Sequence, residues 1–163
     1  MRILRFIVLL ISLFLLQTIV ISRYAIFGVR ADLLLIITTL YAVNFGAEKG
    51  LVVGLLCGIV QDIFGGMLYI STISKGVLGF LIGTLKESVL GTEETVVLTA
   101  ILAATVTNYF FELVLLFFFF GKPLASPLAL FITLVISCLY NSALTFVLLP
   151  AFKASTRYFM EEQ

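Results

Sequence analysis

The sequence predicts an all-α integral membrane protein with six transmembrane helices and both termini in the cytoplasm. Three observations lead there. The chain is 62% hydrophobic and only 12% charged, where soluble domains carry roughly 25% charged residues, and its mean hydropathy is +1.24. Its apolar residues gather in six runs, at about 6–22, 31–45, 47–64, 70–85, 95–120 and 127–149, each near the roughly 20 residues that cross a hydrocarbon core. The charges fall mostly between these runs, in connections too short to hold a folded soluble domain. Residues 1–163 therefore read as a single polytopic transmembrane domain.

The first run follows Arg2 and Arg5. It is longer than the apolar stretch of a signal peptide, and Arg23-Tyr24 is a poor small-residue cleavage context, so it reads as a retained helix. The second run is about fifteen residues long and opens on Ala31-Asp32. The third, GLVVGLLCGIVQDIFGG at 50–66, places Gly50, Gly54 and Gly58 at every fourth position, with Asp62 next on the same stripe. Small residues at that spacing let a second helix backbone come close in lipid, where packing replaces the hydrophobic effect.

The fourth run mirrors the third, with Lys75, Gly79 and Gly83 on one four-residue stripe. Joined by Gly65-Gly66, the two are expected to pack as a tight antiparallel hairpin through Gly50, Gly54, Gly58, Gly79 and Gly83. The fifth run carries Asn108 and Glu112 four residues apart on one face and ends in four phenylalanines, Phe117 to Phe120. The sixth holds Asn141 at comparable depth, and a polar tail, KASTRYFMEEQ, follows it.

Orientation follows from lysines and arginines in short loops. With the N-terminus inside, the inner segments hold Arg2, Arg5, Lys49, Lys86, Lys153 and Arg157, against Arg23, Arg30, Lys122 and Lys75 outside. In this topology Arg30, Asp32, Asp62 and Lys75 converge on the outer side.

An intramembrane carboxylate needs a partner, water or a function. Asp62 with Lys75 is the leading candidate pair. The plain alternative is an Asp62 hydrated among headgroups and a Lys75 that snorkels outward on its stem; a direct ligand or ion role is the third. Asn108 and Glu112, with Asn141 facing them, suit interhelical hydrogen bonding better than a proton relay, which would need a longer line of groups. The phenylalanine cluster fits lipid contact or a partner helix equally well.

Several function classes find no support. A net charge of +1 gives no basic field for nucleic acid. The sequence has no histidine, which removes the commonest general base and metal ligand together. No nucleophile–base pair, metal-ligand spacing or nucleotide-binding loop is present, so neither an enzyme nor a cofactor or metal site is expected. Cys57 and Cys138 lie in apolar runs without a CxxC pair and read as small hydrophobes.

ADLLLIITTLYAV at 31–43, GLVVGLLCGIVQDIFGG at 50–66 and SKGVLGFLIGTL at 74–85 together resemble the MreD family of rod-shape membrane proteins. Asp32 and Asp62 match that family's pattern, whereas Ala31 stands where proline is usual. The resemblance implies a bundle similar in fold to the S-components of energy-coupling-factor transporters, in the bacterial inner membrane. It implies a non-catalytic scaffold of the elongasome that binds the single-span protein MreC and supports peptidoglycan synthesis. MreB and the glycosyltransferase–transpeptidase pair are the wider partners, and a homodimer through a different face is allowed. The competing reading is the substrate-binding membrane subunit of a vitamin or small-solute transporter.

Overall fold

A computed structural model describes residues 11–12, 14–19, 28–65, 69–86, 92–121 and 125–160. Among these residues there are six helices and no strand. Helix α1 is seen over residues 11–12 and 14–19. It is followed by α2 (Leu33–Phe45), α3 (Ala47–Gly65), α4 (Ile70–Leu85), α5 (Glu93–Phe120) and α6 (Pro127–Met160). Arg2, Arg5, Arg23 and Lys122, on which part of the orientation rests, lie outside the described residues, as do both ends of the first apolar run, Gly66 and residues 87–91.

Among the described residues, two helices are long and apolar enough to cross a membrane, over Glu94–Phe119 and Pro127–Pro150. The expectation of six spans is thus met in full length by two. Helices α2 and α4 are apolar but have 13 and 16 residues. At 1.5 Å per residue they rise about 20 and 24 Å, short of a hydrocarbon core of roughly 30 Å. Helix α3 has 19 residues but carries Glu48, Lys49 and Asp62.

Large apolar side chains are exposed in stripes, and a set of polar side chains is buried beside the apolar core. Exposed stripes are made of large apolar side chains: Val52, Leu55, Ile59 and Ile63 on α3, Ile73, Val77, Leu81 and Leu85 on α4, and Leu102, Val106, Phe110, Val114 and Phe118 on α5. The buried set includes Asp62, Ser71, Ser74, Lys75, Thr105, Asn108, Asn141 and Thr145. Apolar stripes on the surface, with these polar groups turned into the bundle, fit association with a membrane, where polar groups face the interior.

Helix α2 is the central post. Its residues Leu33 to Leu40 are all buried, as expected of a helix that is apolar all round. It contributes to three packed clusters. Leu34 and Ile37 meet Phe14 of α1 and Val53 and Cys57 of α3. Leu35 and Ala42 meet Leu78, Ile82 and Ala104. Leu33, Ile36 and Leu40 meet Val97, Ile101 and Leu149. Its two threonines, Thr38 and Thr39, donate back to the Leu34 and Leu35 carbonyls at 2.8 and 2.9 Å, so neither of these two hydroxyls is left unpaired. A single residue, Gly46, turns α2 into α3 at φ +88°, a backbone that side chains rarely adopt.

Helices α3 and α4 run antiparallel and form the most extensive helix pair. A Cβ on Gly50 would overlap the Gly79 carbonyl oxygen, one on Gly54 the Lys75 carbonyl, and one on Gly58 the Thr72 backbone. From the other side, Gly79 lies on the Gly50 carbonyl and Gly83 on the Ala47 backbone. Backbone meets backbone along the whole stripe, so the helices approach closer than any side chain would allow.

Helix α6 continues past the end of its apolar run at Leu149, through Pro150 and on to Met160. Pro150 removes one intrahelical donor, but hydropathy marks where an apolar environment ends, not where hydrogen bonding stops. The polar tail is helical as far as the described residues reach.

Candidate functional site

The site is built around the N-terminus of α2, which is buried and therefore needs acceptors for its free N–H groups. Three side chains supply them. The Asp32 N–H donates to Asn141 Oδ1 of α6 at 2.9 Å, and the Leu33 N–H to Gln17 Oε1 of α1 at 3.0 Å. The Leu35 N–H donates to Asp32 Oδ1 at 2.9 Å, a local N-cap. Asn141 Nδ2 in turn donates to Thr105 Oγ1 of α5 at 3.1 Å. One helix end thus ties α1, α5 and α6 together.

The other oxygen of Asp32 faces Lys75. Lys75 Nζ lies 2.6 Å from Asp32 Oδ2 and 3.9 Å from Glu112 Oε1, with the lysine side chain wholly buried. This corrects the expected pairing of Asp62 with Lys75. Asp62, 6% exposed, turns to the first turn of α4 instead. Its carboxylate accepts from the Ser71 N–H at 3.1 Å, the Thr72 N–H at 2.8 Å and the Thr72 hydroxyl at 2.7 Å.

The physical reason lies at Tyr69. It occupies the N-cap position of α4 in the left-handed conformation (φ 56°) and offers no side-chain cap. The donors of that turn must find an acceptor elsewhere, and a carboxylate at a helix N-terminus also meets the positive end of the helix dipole. Asp62 is therefore a cap supplied across the hairpin. Asp32 does the corresponding work within its own helix and has an oxygen left for Lys75.

Next to the Asp32–Lys75 pair is a cavity of about 300 Å³. Arg30, Asp32, Asn108, Glu112 and Asn141 line it, so the sequence-selected residues of α2, α5 and α6 come together. Asp62 and Lys75 do not line it. Gln17, Gln61, Thr105, Tyr109 and Ser137 do, and sequence reasoning passed over them. A signal was present: Thr105, Asn108 and Glu112 recur at intervals of three and four, and Ser137 lies four residues before Asn141, which continues each polar face by a turn. Gln17 is the polar interruption of the first run, and Gln61 precedes Asp62 directly.

Three lining residues keep a buried oxygen with no hydrogen-bond donor: Gln61 Oε1, Asn108 Oδ1 and Glu112 Oε1. Among the described residues no group of three or more His, Cys, Asp or Glu is placed to hold a metal ion. Cys57 and Cys138 are free thiols. The arrangement can hold charge and hydrogen-bond a polar guest. Compared with known proteins, the chain matches no family model, no curated protein and no solved structure.

Proposed function

We propose that this chain is a multi-pass protein of the bacterial inner membrane, with six spans and cytoplasmic termini. In this reading it is a non-catalytic scaffold of the elongasome that holds the transmembrane helix of MreC. The observation that carries the reading is how little of α5 and α6 is covered by their own chain. Only 22% of the most apolar stretch of α5 and 17% of that of α6 is buried. In lipid, such faces associate through packing and sparse hydrogen bonds rather than through expulsion of water. A single-span partner is matched to a surface of this kind.

The resemblance to MreD rests on segments that carry structural work here. Asp32 caps α2 and pairs with Lys75, Asp62 caps α4, and the glycines between them join α3 to α4. These positions are constrained by the architecture whatever binds outside. The partner choice therefore belongs to the outward faces.

Depletion of the protein in a rod-shaped host tests the proposal. Rounded cells, together with co-purification of a single-span partner in stoichiometric amount, are the expected result. Rounded cells restored by a vitamin or other nutrient in the medium would make the chain a transport subunit, and the scaffold reading would fall.

A further inference from the structure

A scaffold that works through its outer faces has no need of a polar hole inside. The cavity beside α2 is about 300 Å³, at the lower end of the roughly 300–1,000 Å³ typical of small-molecule sites. Its walls are unusually polar for the interior of an apolar bundle. Glu112 keeps 31% of its side chain exposed, so a molecule the size of water reaches the side chain, although its Oε1 is buried.

The hydrogen-bonding inventory around the cavity is lopsided. Asn141 is engaged at both ends of its amide, by the Asp32 N–H and by Thr105. Asp32 is engaged at both oxygens, by the Leu35 N–H and by Lys75. What remains on the cavity wall is three acceptor oxygens without donors, on Gln61, Asn108 and Glu112; behind the wall the Lys75 ammonium, ion-paired with Asp32, also has no hydrogen-bond partner. Asn108 is 6% exposed, so bulk water does not serve it. Leaving buried acceptors unsatisfied is costly, a cost that a donor-rich guest removes.

Charge points the same way. One buried cation, Lys75, stands between two carboxylates. Asp32 takes the close contact and also meets the N-terminal dipole of α2. Glu112, at 3.9 Å, is beyond hydrogen-bond reach of the ammonium. Arg30 lines the same cavity but is exposed, where solvent screens its charge. Glu112 is thus the under-compensated group.

We propose that this cavity is a binding site for a small organic ammonium ion, a primary amine whose N–H donors are taken by Glu112, Asn108 and Gln61. The amine supplies both what the acceptors lack and the positive charge that Glu112 lacks. Water supplies the donors alone. A carboxylate guest supplies neither, and a phosphate adds negative charge beside Glu112. The site does not depend on the scaffold reading, because it faces inward and the partner faces point outward.

The test uses the purified full-length protein and charged thiol reagents. Ser137, on the cavity wall, is replaced by cysteine in a Cys138→Ser background, and Ser126→Cys, exposed at the start of α6, is the surface control. Aminoethyl methanethiosulfonate, a primary ammonium, is compared with its neutral methyl and anionic sulfonatoethyl counterparts. The expected result is a cation-over-neutral rate ratio at least tenfold higher at Ser137→Cys than at Ser126→Cys. That ratio falls at least fivefold with Glu112→Gln, rises with Arg30→Gln, and is suppressed by millimolar ethylammonium. Equal ratios at the two positions, or no change with Glu112→Gln, mean a water-filled space and overturn the proposal. Preference for the anionic reagent overturns it as well. Thermal stability of the unsubstituted protein gives an independent reading. A saturable rise with ethylammonium chloride beyond that from sodium chloride is expected, and no difference between the two salts counts against the site.

Discussion

Lys75 Nζ lies 2.6 Å from Asp32 Oδ2, with no part of the lysine side chain exposed. The contact joins the second turn of α4 to the first residue before α2, and Glu112 of α5 completes the set. Because Asp32 also caps its own helix, one carboxylate fixes both the start of the central post and the register of the hairpin packed on it. A charge taken out of water is tolerated only with this kind of close compensation.

The pair gives the first prediction. Lys75→Met leaves two carboxylates facing each other without a cation and is expected to cost about 3–5 kcal/mol. Asp32→Asn keeps a good N-cap while removing the charge, so its cost is smaller. The double variant is expected to fall short of the sum by about 1–3 kcal/mol. Thermal unfolding of the four proteins in one detergent measures the coupling; strict additivity would mean that the pair adds nothing to stability.

Asp62 separates capping from ion pairing. Asp62→Ala strips the acceptors from the Ser71 and Thr72 N–H groups and is expected to destabilise by about 1–2 kcal/mol. Asp62→Asn retains one acceptor oxygen and is expected to recover half or more of that loss. If charge were what mattered, the asparagine variant would be as damaged as the alanine one. Hydrogen exchange at the first turn of α4 provides the local readout.

The glycines differ in what surrounds them, which predicts a ranking. A Cβ on Gly54 meets backbone that cannot yield, whereas one on Gly76 meets the tip of the Leu55 side chain, and one on Gly65 meets nothing within 4 Å. Gly54→Ala is therefore expected to be the most damaging, on the scale of the roughly 1–3 kcal/mol of overpacked cores. Gly76→Ala should be mild and Gly65→Ala neutral or slightly stabilising. Melting temperatures in the reverse order would place the close approach of α3 and α4 elsewhere.

The spacing of Gly50, Gly54 and Gly58 against Gly79 and Gly83 is a local, periodic signal, and it corresponds directly to the α3–α4 contact. The run from Leu33 to Leu40 likewise has no polar face to turn outward beyond two threonines that bond to their own helix, which suits a central position. The choice of acid for Lys75 was not legible in the same way, because Asp32 and Asp62 lie on the same side in any antiparallel arrangement. What decides between them is the absence of a capping residue ahead of Ile70. Gly66-Met67-Leu68-Tyr69 contains no Ser, Thr, Asp or Asn, so the donors of α4 claim Asp62. The cavity was legible only in fragments, since its walls come from helices far apart in sequence and no single stretch carries the pattern. The length of α6 was obscured because hydropathy falls at Leu149-Pro150 while the helix does not end there.

The outward faces set where a partner should be sought. A crosslinker near Asp62 or Glu112 would be aimed at the bundle interior, since Asp62 is buried against α4 and Glu112 lines the cavity. The outward stripe of α5 is the better place, with Phe110 at 55%, Val114 at 50% and Phe118 at 78% exposure. These three residues lie at intervals of four and so present one continuous face, long enough for two turns of a second helix. With photo-crosslinking residues at each in living cells, a bound single-span helix is expected to give the same protein adduct at two or three of them and none at Glu112. Lipid contact alone gives no protein adduct at any of the three. An adduct at the α6 residues Leu139 and Phe146 (67% and 60% exposed), with none on α5, would move the partner surface to α6. An adduct to a second copy of this chain would make the α5 face a homodimer contact.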